Sequence, residues 1–83
     1  MNKLKLKIAT PEYVIYYYYP EYNPEKEDIP GEIRMNIGED EAIIISRASE
    51  DTSIGYYAFL AAKAVKERVK KKNFPLEFTQ AWH

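Results

Sequence analysis

Apolar and polar residues alternate along the first stretch of the chain, from residue 3 to residue 9. The apolar positions are Leu4, Leu6 and Ile8, and the polar positions between them are Lys3, Lys5 and Lys7. A period of two is typical of an antiparallel strand with one face buried and the other in water. Thr10 and Pro11 then predict a turn, so this strand and the next should form a hairpin.

The second stretch, residues 12 to 19, carries apolar or aromatic side chains at both sets of alternating positions. One face of such a strand would present Val14, Tyr16 and Tyr18, and the other Tyr13, Ile15, Tyr17 and Tyr19. Because β-branched and aromatic residues favour strands, we predict a strand here. Since both of its faces carry bulky side chains, both faces should be covered.

The middle of the chain predicts a loop followed by two more strands. Residues 20–30 contain three prolines and four acidic residues, a composition typical of a solvated loop. A third strand is predicted at residues 32–37, where apolar residues alternate with polar ones. A fourth is predicted at residues 42–48, and its run Ile43-Ile44-Ile45 is apolar on both faces. Such a strand is expected at the centre of a sheet or beneath cover on both sides.

A helix is predicted from residue 52 or 54 to residue 72. Its apolar positions recur at spacings of three or four, at Ile54, Ala58, Ala61, Val65 and Val69. Asn73, in a left-handed conformation, and Pro75 are expected to end it, and alternation in residues 76–82 predicts a fifth strand. We therefore expect a single domain, residues 1–83, of the α+β class. Its mainly antiparallel sheet of about five strands, in the order β-β-β-β-α-β, should carry one amphipathic helix on one face.

Composition agrees with a small globular protein. The chain has 83 residues, of which 46% are hydrophobic and 30% charged, and it contains no cysteine. These proportions are ordinary for a folded domain, and the lack of cysteine favours a reducing compartment. We expect no signal peptide, because lysines interrupt the apolar residues near the amino terminus. No apolar run approaches the roughly 18 residues that cross a bilayer, so we predict a cytoplasmic protein that binds no membrane.

Residues that usually carry catalysis are scarce. The single histidine, His83, is the last residue of the sequence, where a side chain is rarely held in a fixed geometry. Glycine occurs only at residues 31, 38 and 55, so the sequence has no phosphate-binding glycine loop. The acidic run Glu39-Asp40-Glu41 lacks the alternation of a calcium loop. We therefore predict a protein that is not an enzyme and that needs no cofactor or metal.

Two strands that are apolar on both faces, beside a single helix, predict an uncovered surface. Because exposed apolar patches often mark contact sites, we expect a small protein-interaction module that binds a protein partner or a second copy of itself through a tyrosine-bearing sheet face or edge. The expected contact residues are Tyr13, Tyr16, Tyr18, Lys3, Lys5 and Lys7, or the tyrosines of whichever face lies away from the helix. The simpler interpretation is that tyrosine is a good strand residue that tolerates half-exposure.

An alternative hypothesis is a single-stranded nucleic-acid binder that uses the Lys3/Lys5/Lys7 face and the tyrosines. Cationic side chains bind phosphates, and aromatic rings stack on bases. The pI of about 5.8 argues against this alternative, since dedicated nucleic-acid domains are usually basic.

Overall fold

The computed structural model describes residues 2–21, 29–49, 51 and 56–81. These residues form five strands and one helix. In chain order they are β1 (Asn2–Ala9), β2 (Tyr13–Pro20), β3 (Gly31–Asn36), β4 (Ile43–Ser46), α1 (Tyr56–Lys70) and β5 (Glu77–Gln80). The predicted α+β class and element order are confirmed. Within the predicted loop at 20–30, residues 22–28 lie outside the described residues, as do residues 52–55 of the predicted helix start, Trp82 and His83.

The strands form one antiparallel sheet in the order β4-β3-β2-β1-β5. The first four strands follow one another as neighbours, as strands that are consecutive in sequence commonly do. The chain then crosses the sheet as α1 and adds β5 beside β1. The tyrosine-rich strand β2 is therefore the middle strand, whereas the isoleucine strand β4 lies at an edge. The prediction that β4 is central or covered on both sides is wrong.

The core lies between α1 and one face of the sheet. The helix presents small and β-branched residues, namely Ala58, Ala61, Ala64, Val65 and Val69. The sheet presents larger side chains that are fully buried, namely Leu4, Val14, Tyr16, Tyr18, Ile33 and Met35. Small residues on the helix leave room for two tyrosines beneath it, so the two surfaces fill the interior at the density typical of proteins. The predicted helix stripe is confirmed at its four described positions.

A register shift in β1 corrects the prediction for Ile8. Leu6 lies opposite Tyr16, but Ile8 lies opposite Ile15, so that Lys7 is the extra residue of a bulge. A bulge changes which face the following residues occupy. Ile8 is therefore exposed on the face without the helix and does not contact the core.

A buried hydrogen-bond network joins β2 to the segment between β4 and α1. The hydroxyl of Tyr18 donates to Asp51 Oδ2 at 2.7 Å and accepts from the Ala48 amide at 3.0 Å. The same carboxylate oxygen accepts from the amide of Ala58, in the first turn of α1, at 3.0 Å. Amides in the first turn have no partner inside a helix, so the carboxylate satisfies one of them. The network fixes where α1 begins above the sheet.

The helix α1 ends at Lys70, two residues before the predicted end at residue 72. Lys72, and not Asn73, adopts the left-handed conformation, with φ of 52°. The amide of Asn73 donates to the Arg68 carbonyl at 3.0 Å, which closes the end of the helix.

Gly31, the first residue of β3, lies directly against the Tyr18 ring. A Cβ atom at this position would overlap that ring and would lie 2.7 Å from the Ala48 nitrogen. We expect Gly31→Ala to lower the free energy of unfolding by about 1–3 kcal/mol, as overpacking of a filled interior does. Urea denaturation followed by circular dichroism measures the change. Without the overlap, replacing glycine in a strand should stabilise the protein by about 0.4–1 kcal/mol, so a more stable variant would contradict this account of the core.

Candidate interaction surface

The face of the sheet opposite α1 carries a row of aromatic residues between two rows of charged residues. We call it the helix-free face. Its central residues are Lys3, Lys5 and Lys7 on β1, Tyr13, Ile15, Tyr17 and Tyr19 on β2, and Glu32, Arg34 and Asn36 on β3, and its margins include Ile8 and Ile43. The β2 side chains are half-buried, because flanking side chains cover part of each.

Cationic groups lie over the tyrosine rings of this face. Lys5 Nζ is 5.2 Å from the centre of the Tyr19 ring, and Lys7 Nζ is 5.4 Å from that of Tyr17. The guanidinium carbon of Arg34 is 4.1 Å from the centre of the Tyr13 ring. At these distances a cation is attracted to the face of an aromatic ring. The ring faces are therefore partly occupied by the protein's own side chains.

Carboxylates lie beside Lys7 and Lys3 on this face. Lys7 Nζ donates to Glu32 Oε1 at 2.7 Å, and this hydrogen bond raises the pKa of Lys7 above its usual value. Lys3 Nζ lies 3.5 Å from Glu77 Oε1. The helix-free face is thus a mosaic of paired charges and half-buried rings, which differs from the apolar patch that the sequence predicts.

Two of the predicted contact residues lie on the opposite side of the sheet. Tyr16 and Tyr18 are fully buried beneath α1, so their assignment to an exposed contact face is wrong. Alternation defines two faces of a strand but does not identify the face that the helix covers. Both hydroxyls have partners inside the protein, since Tyr16 donates to the Pro75 carbonyl at 2.7 Å and Tyr18 to Asp51. Tyr13, Lys3, Lys5 and Lys7 do lie on the helix-free face, together with Tyr17 and Tyr19.

Three consecutive apolar residues of the β4 edge are exposed, and none of them was among the contact residues predicted from the sequence. Ile43, Ile44 and Ile45 are 47%, 44% and 49% exposed. Within the described part of the chain, no strand pairs with the outer side of β4. Phe59 of α1 is 58% exposed and, with Ile44, lines a shallow cavity of about 180 Å³. We call Ile43, Ile44, Ile45 and Phe59 the isoleucine edge.

The opposite edge of the sheet, β5, is polar. Its sequence is Glu-Phe-Thr-Gln, and its one apolar residue, Phe78, is half-buried. The Phe78 ring packs edge-on against Tyr16, with 5.4 Å between ring centres, and the Arg68 guanidinium lies over it at 4.5 Å. Polar and charged residues are a common protection of edge strands against pairing with other chains. Leu76, which precedes β5 and whose carbonyl accepts from the Leu6 amide at 2.8 Å, is 80% exposed. Among the described residues, three consecutive exposed apolar side chains occur at the β4 edge and not at the β5 edge.

Three further features of the described residues concern metal binding, a ligand cavity and a membrane-spanning helix. Among the described residues, no group of three histidine, cysteine, aspartate or glutamate side chains is placed to hold a metal ion. A cavity of about 500 Å³ near the end of α1 is lined largely by apolar side chains, including Met35, Ile37 and Phe74. Over the same part of the chain, no helix has both the length and the apolar character needed to cross a bilayer.

Comparison with protein-family models, with curated proteins and with solved structures finds no match.

The buried tyrosines predict loss of stability at high pH. Burial raises the pKa of Tyr18 well above 10.0, with a further increase from the Asp51 carboxylate, and burial also raises the pKa of Tyr16. In the unfolded chain the phenol groups of both tyrosines ionise near pH 10, whereas in the folded protein they ionise at a higher pH. The free energy of unfolding should therefore stay constant with respect to these two groups below about pH 9 and should fall as pH rises beyond about 10.

Tyr18→Phe tests this assignment. At neutral pH the variant should lose about 1–3 kcal/mol of stability, because the Ala48 amide and the Asp51 carboxylate each lose a buried partner. Above about pH 10 its stability should fall less steeply than that of the wild type, since one raised pKa has been removed. Urea denaturation across this pH range measures both effects. An alkaline slope equal to that of the wild type would contradict the role assigned to Tyr18.

Proposed function

We propose that this protein is a small interaction module that binds another protein chain by strand addition at the isoleucine edge. The observation that carries the proposal is the contrast between the two edges of the sheet: β4 exposes three consecutive isoleucines, whereas β5 is polar. An extended segment that pairs with an edge strand gains main-chain hydrogen bonds, and exposed side chains beside the strand provide specificity. Here Ile43, Ile44, Ile45 and Phe59 would provide the apolar contact.

The edge supports binding better than the helix-free face does. A strand added at the β4 edge would bury apolar side chains. Removal of apolar surface from water is the main favourable term in most protein association. Binding on the helix-free face would instead displace Lys7 from Glu32 or Arg34 from the Tyr13 ring. Lys3, Lys5 and Lys7 also lie three strands away from β4, at about 14 Å for a strand spacing of about 4.8 Å. These lysines and Tyr13 would contact only a partner that extends across the face.

A single-stranded nucleic acid is the second candidate ligand. The placement of Lys3, Lys5 and Lys7 beside Tyr13, Tyr17 and Tyr19 on one face favours it, since such binding combines cationic groups with stacking aromatics. We rank nucleic-acid binding below strand addition for two reasons. Carboxylates already lie beside Lys3 and Lys7, and cationic side chains already lie over the tyrosine rings. Binding of a labelled single-stranded oligonucleotide that weakens steeply with salt would support it, and lack of binding at low salt would eliminate it.

The proposed location is the cytoplasm. The lack of cysteine favours a reducing compartment, and a module that works through an exposed apolar edge is compatible with that location.

Ile45→Lys is the sharpest test of the edge, because it places a charge within the apolar row, where Ile45 is 49% exposed. Thr79→Lys is the matched control, since it makes the same change at an exposed position of the β5 edge. We expect the tagged wild-type chain to retain a protein from an extract of its own cells, the Thr79→Lys variant to retain it equally, and the Ile45→Lys variant to lose at least about nine-tenths of it, a change equivalent to about 1.4 kcal/mol.

Circular dichroism should show that both variants fold, because both positions are solvent-exposed. Equal retention by wild type and Ile45→Lys would contradict the proposal. A wild-type chain that retains no protein and sediments as a monomer at every concentration would contradict it as well.

A further inference from the structure

We propose that the chain bound at the isoleucine edge is a second copy of this protein, with the two β4 strands antiparallel about a two-fold axis at Ile44. This inference rests on the proposed function, strand addition at β4. It adds the identity of the partner and the register of the pairing.

The apolar residues of the edge are self-complementary in this arrangement. With Ile44 opposite Ile44 of the second copy, Ile43 and Ile45 of each copy lie opposite one another. Directly opposite residues in an antiparallel pair are close enough for their side chains to pack together. Because a two-fold axis perpendicular to the sheet relates the copies, both α1 helices lie on the same face. Phe59, which borders the cavity beside Ile44, is then on the side of α1 that approaches the second copy.

Charges at the two ends of β4 are complementary in the same register. An acidic segment, Glu39 to Glu41, precedes the strand, and Arg47 follows it. Pairing Ile44 with Ile44 brings Glu41 of one copy opposite Arg47 of the other, and the two-fold axis repeats this contact at the other end. Glu41 contacts Lys66 at 3.0 Å, yet its side chain is 81% exposed. Arg47 contacts Asp51, with its Nε 3.9 Å from Asp51 Oδ2 and its Nη2 donating to the Asp51 carbonyl at 3.4 Å, yet its side chain is 42% exposed. Both residues therefore keep exposed area for a contact between copies. Shifting the register so that Ile45 lies opposite Ile45 would place Arg47 opposite Ile43 and would lose this contact.

The arrangement closes on itself. A two-fold contact uses the same surface on both copies, and the remaining edge, β5, is polar and unsuited to further addition. We therefore expect a dimer of ten strands and no larger assembly. Ile45 is an extra residue of β4, because Ile44 lies opposite Ile33 whereas Ser46 lies opposite the adjacent Glu32. This bulge, together with a strand length of only four residues, limits regular pairing along β4. An interface of this size belongs with contacts of less than about 1,200 Å², which are weak, so dimerisation should require micromolar or higher concentrations.

Sedimentation equilibrium measures the self-association. The wild-type chain should follow a monomer–dimer equilibrium, and Ile45→Lys should raise the dimer dissociation constant by at least about tenfold, because each copy would place a lysine opposite an isoleucine of the other. Thr79→Lys should leave the constant unchanged. Glu41→Lys should raise it by about two- to fivefold at low salt and by less at high salt, since the Glu41–Arg47 contact lies in solvent.

A disulfide tests the register directly. The chain contains no cysteine, so Ile44→Cys introduces one thiol per copy. Opposite residues of an antiparallel pair have Cα atoms about 4.5–5.5 Å apart, within the range of about 4.4–6.8 Å that a disulfide spans. Mild oxidation should link the Ile44→Cys variant into a covalent dimer. Thr79→Cys, at the β5 edge, should stay monomeric under the same conditions.

The outcomes separate this inference from the proposed function. A wild-type chain that is monomeric up to about millimolar concentration, together with an Ile44→Cys variant that does not cross-link, would overturn the second copy as partner. The proposed function would survive if Ile45→Lys still abolished retention of a different protein. A dimer that Thr79→Lys disrupts and Ile45→Lys leaves intact would overturn both the proposed function and the pairing of two copies at β4.

Discussion

One helix cannot cover a five-stranded sheet, and this constraint determines which surfaces the protein exposes. Five strands at a spacing of about 4.8 Å span about 19 Å, whereas an α-helix with its side chains is about 10–12 Å across. Most side chains of β1, β2 and β3 that face α1 are fully buried, including Leu4, Tyr16 and Ile33, whereas Leu6 is half-buried. The edge strands lie at the margin of this cover. On the helix side β5 presents the half-buried Phe78 and Gln80, and β4 presents Ile44, which is 44% exposed.

The position of α1 depends on a buried polar contact as well as on apolar packing. A tyrosine hydroxyl in the core needs partners, because an unsatisfied buried polar group costs about 1–3 kcal/mol. Tyr18 finds them in Asp51 and Ala48, which connect β4 to α1, and the same Asp51 carboxylate binds the first turn of the helix. Gly31 and the alanines of α1 leave room for the ring. The central strand, the β4–α1 connection and the helix start are therefore fixed together, which holds β4 beside β3 with its outer side uncovered by any described strand.

Local patterns in the sequence predict the elements but not the arrangement of the sheet. Alternation in β1 and the three-to-four spacing of Ala58, Ala61 and Val65 identify the strand and the helix stripe, because both signals depend on residues close in sequence. The side of β2 that receives the helix depends on contacts distant in sequence, namely those of Tyr16 with Pro75 and of Tyr18 with Asp51. For this reason Tyr16 and Tyr18 were predicted among the exposed contact residues, although they are buried. The Lys7 bulge and the edge position of β4 depend on strand pairing, which periodicity does not encode. An apolar run such as Ile43-Ile44-Ile45 is typical of a central strand, but in this protein it lies at an edge of the sheet.

Residue-resolved amide hydrogen exchange, measured by nuclear magnetic resonance as the protein concentration rises, tests the account most directly. Amides on the outer side of β4 lack a pairing strand among the described residues, so they should exchange rapidly in dilute solution. They should become protected as the concentration increases, while the amides on the outer side of β5 should not change. Strong protection of β4 at every concentration would show that the chain itself covers this edge. Rapid exchange that persists at every concentration would contradict pairing between copies.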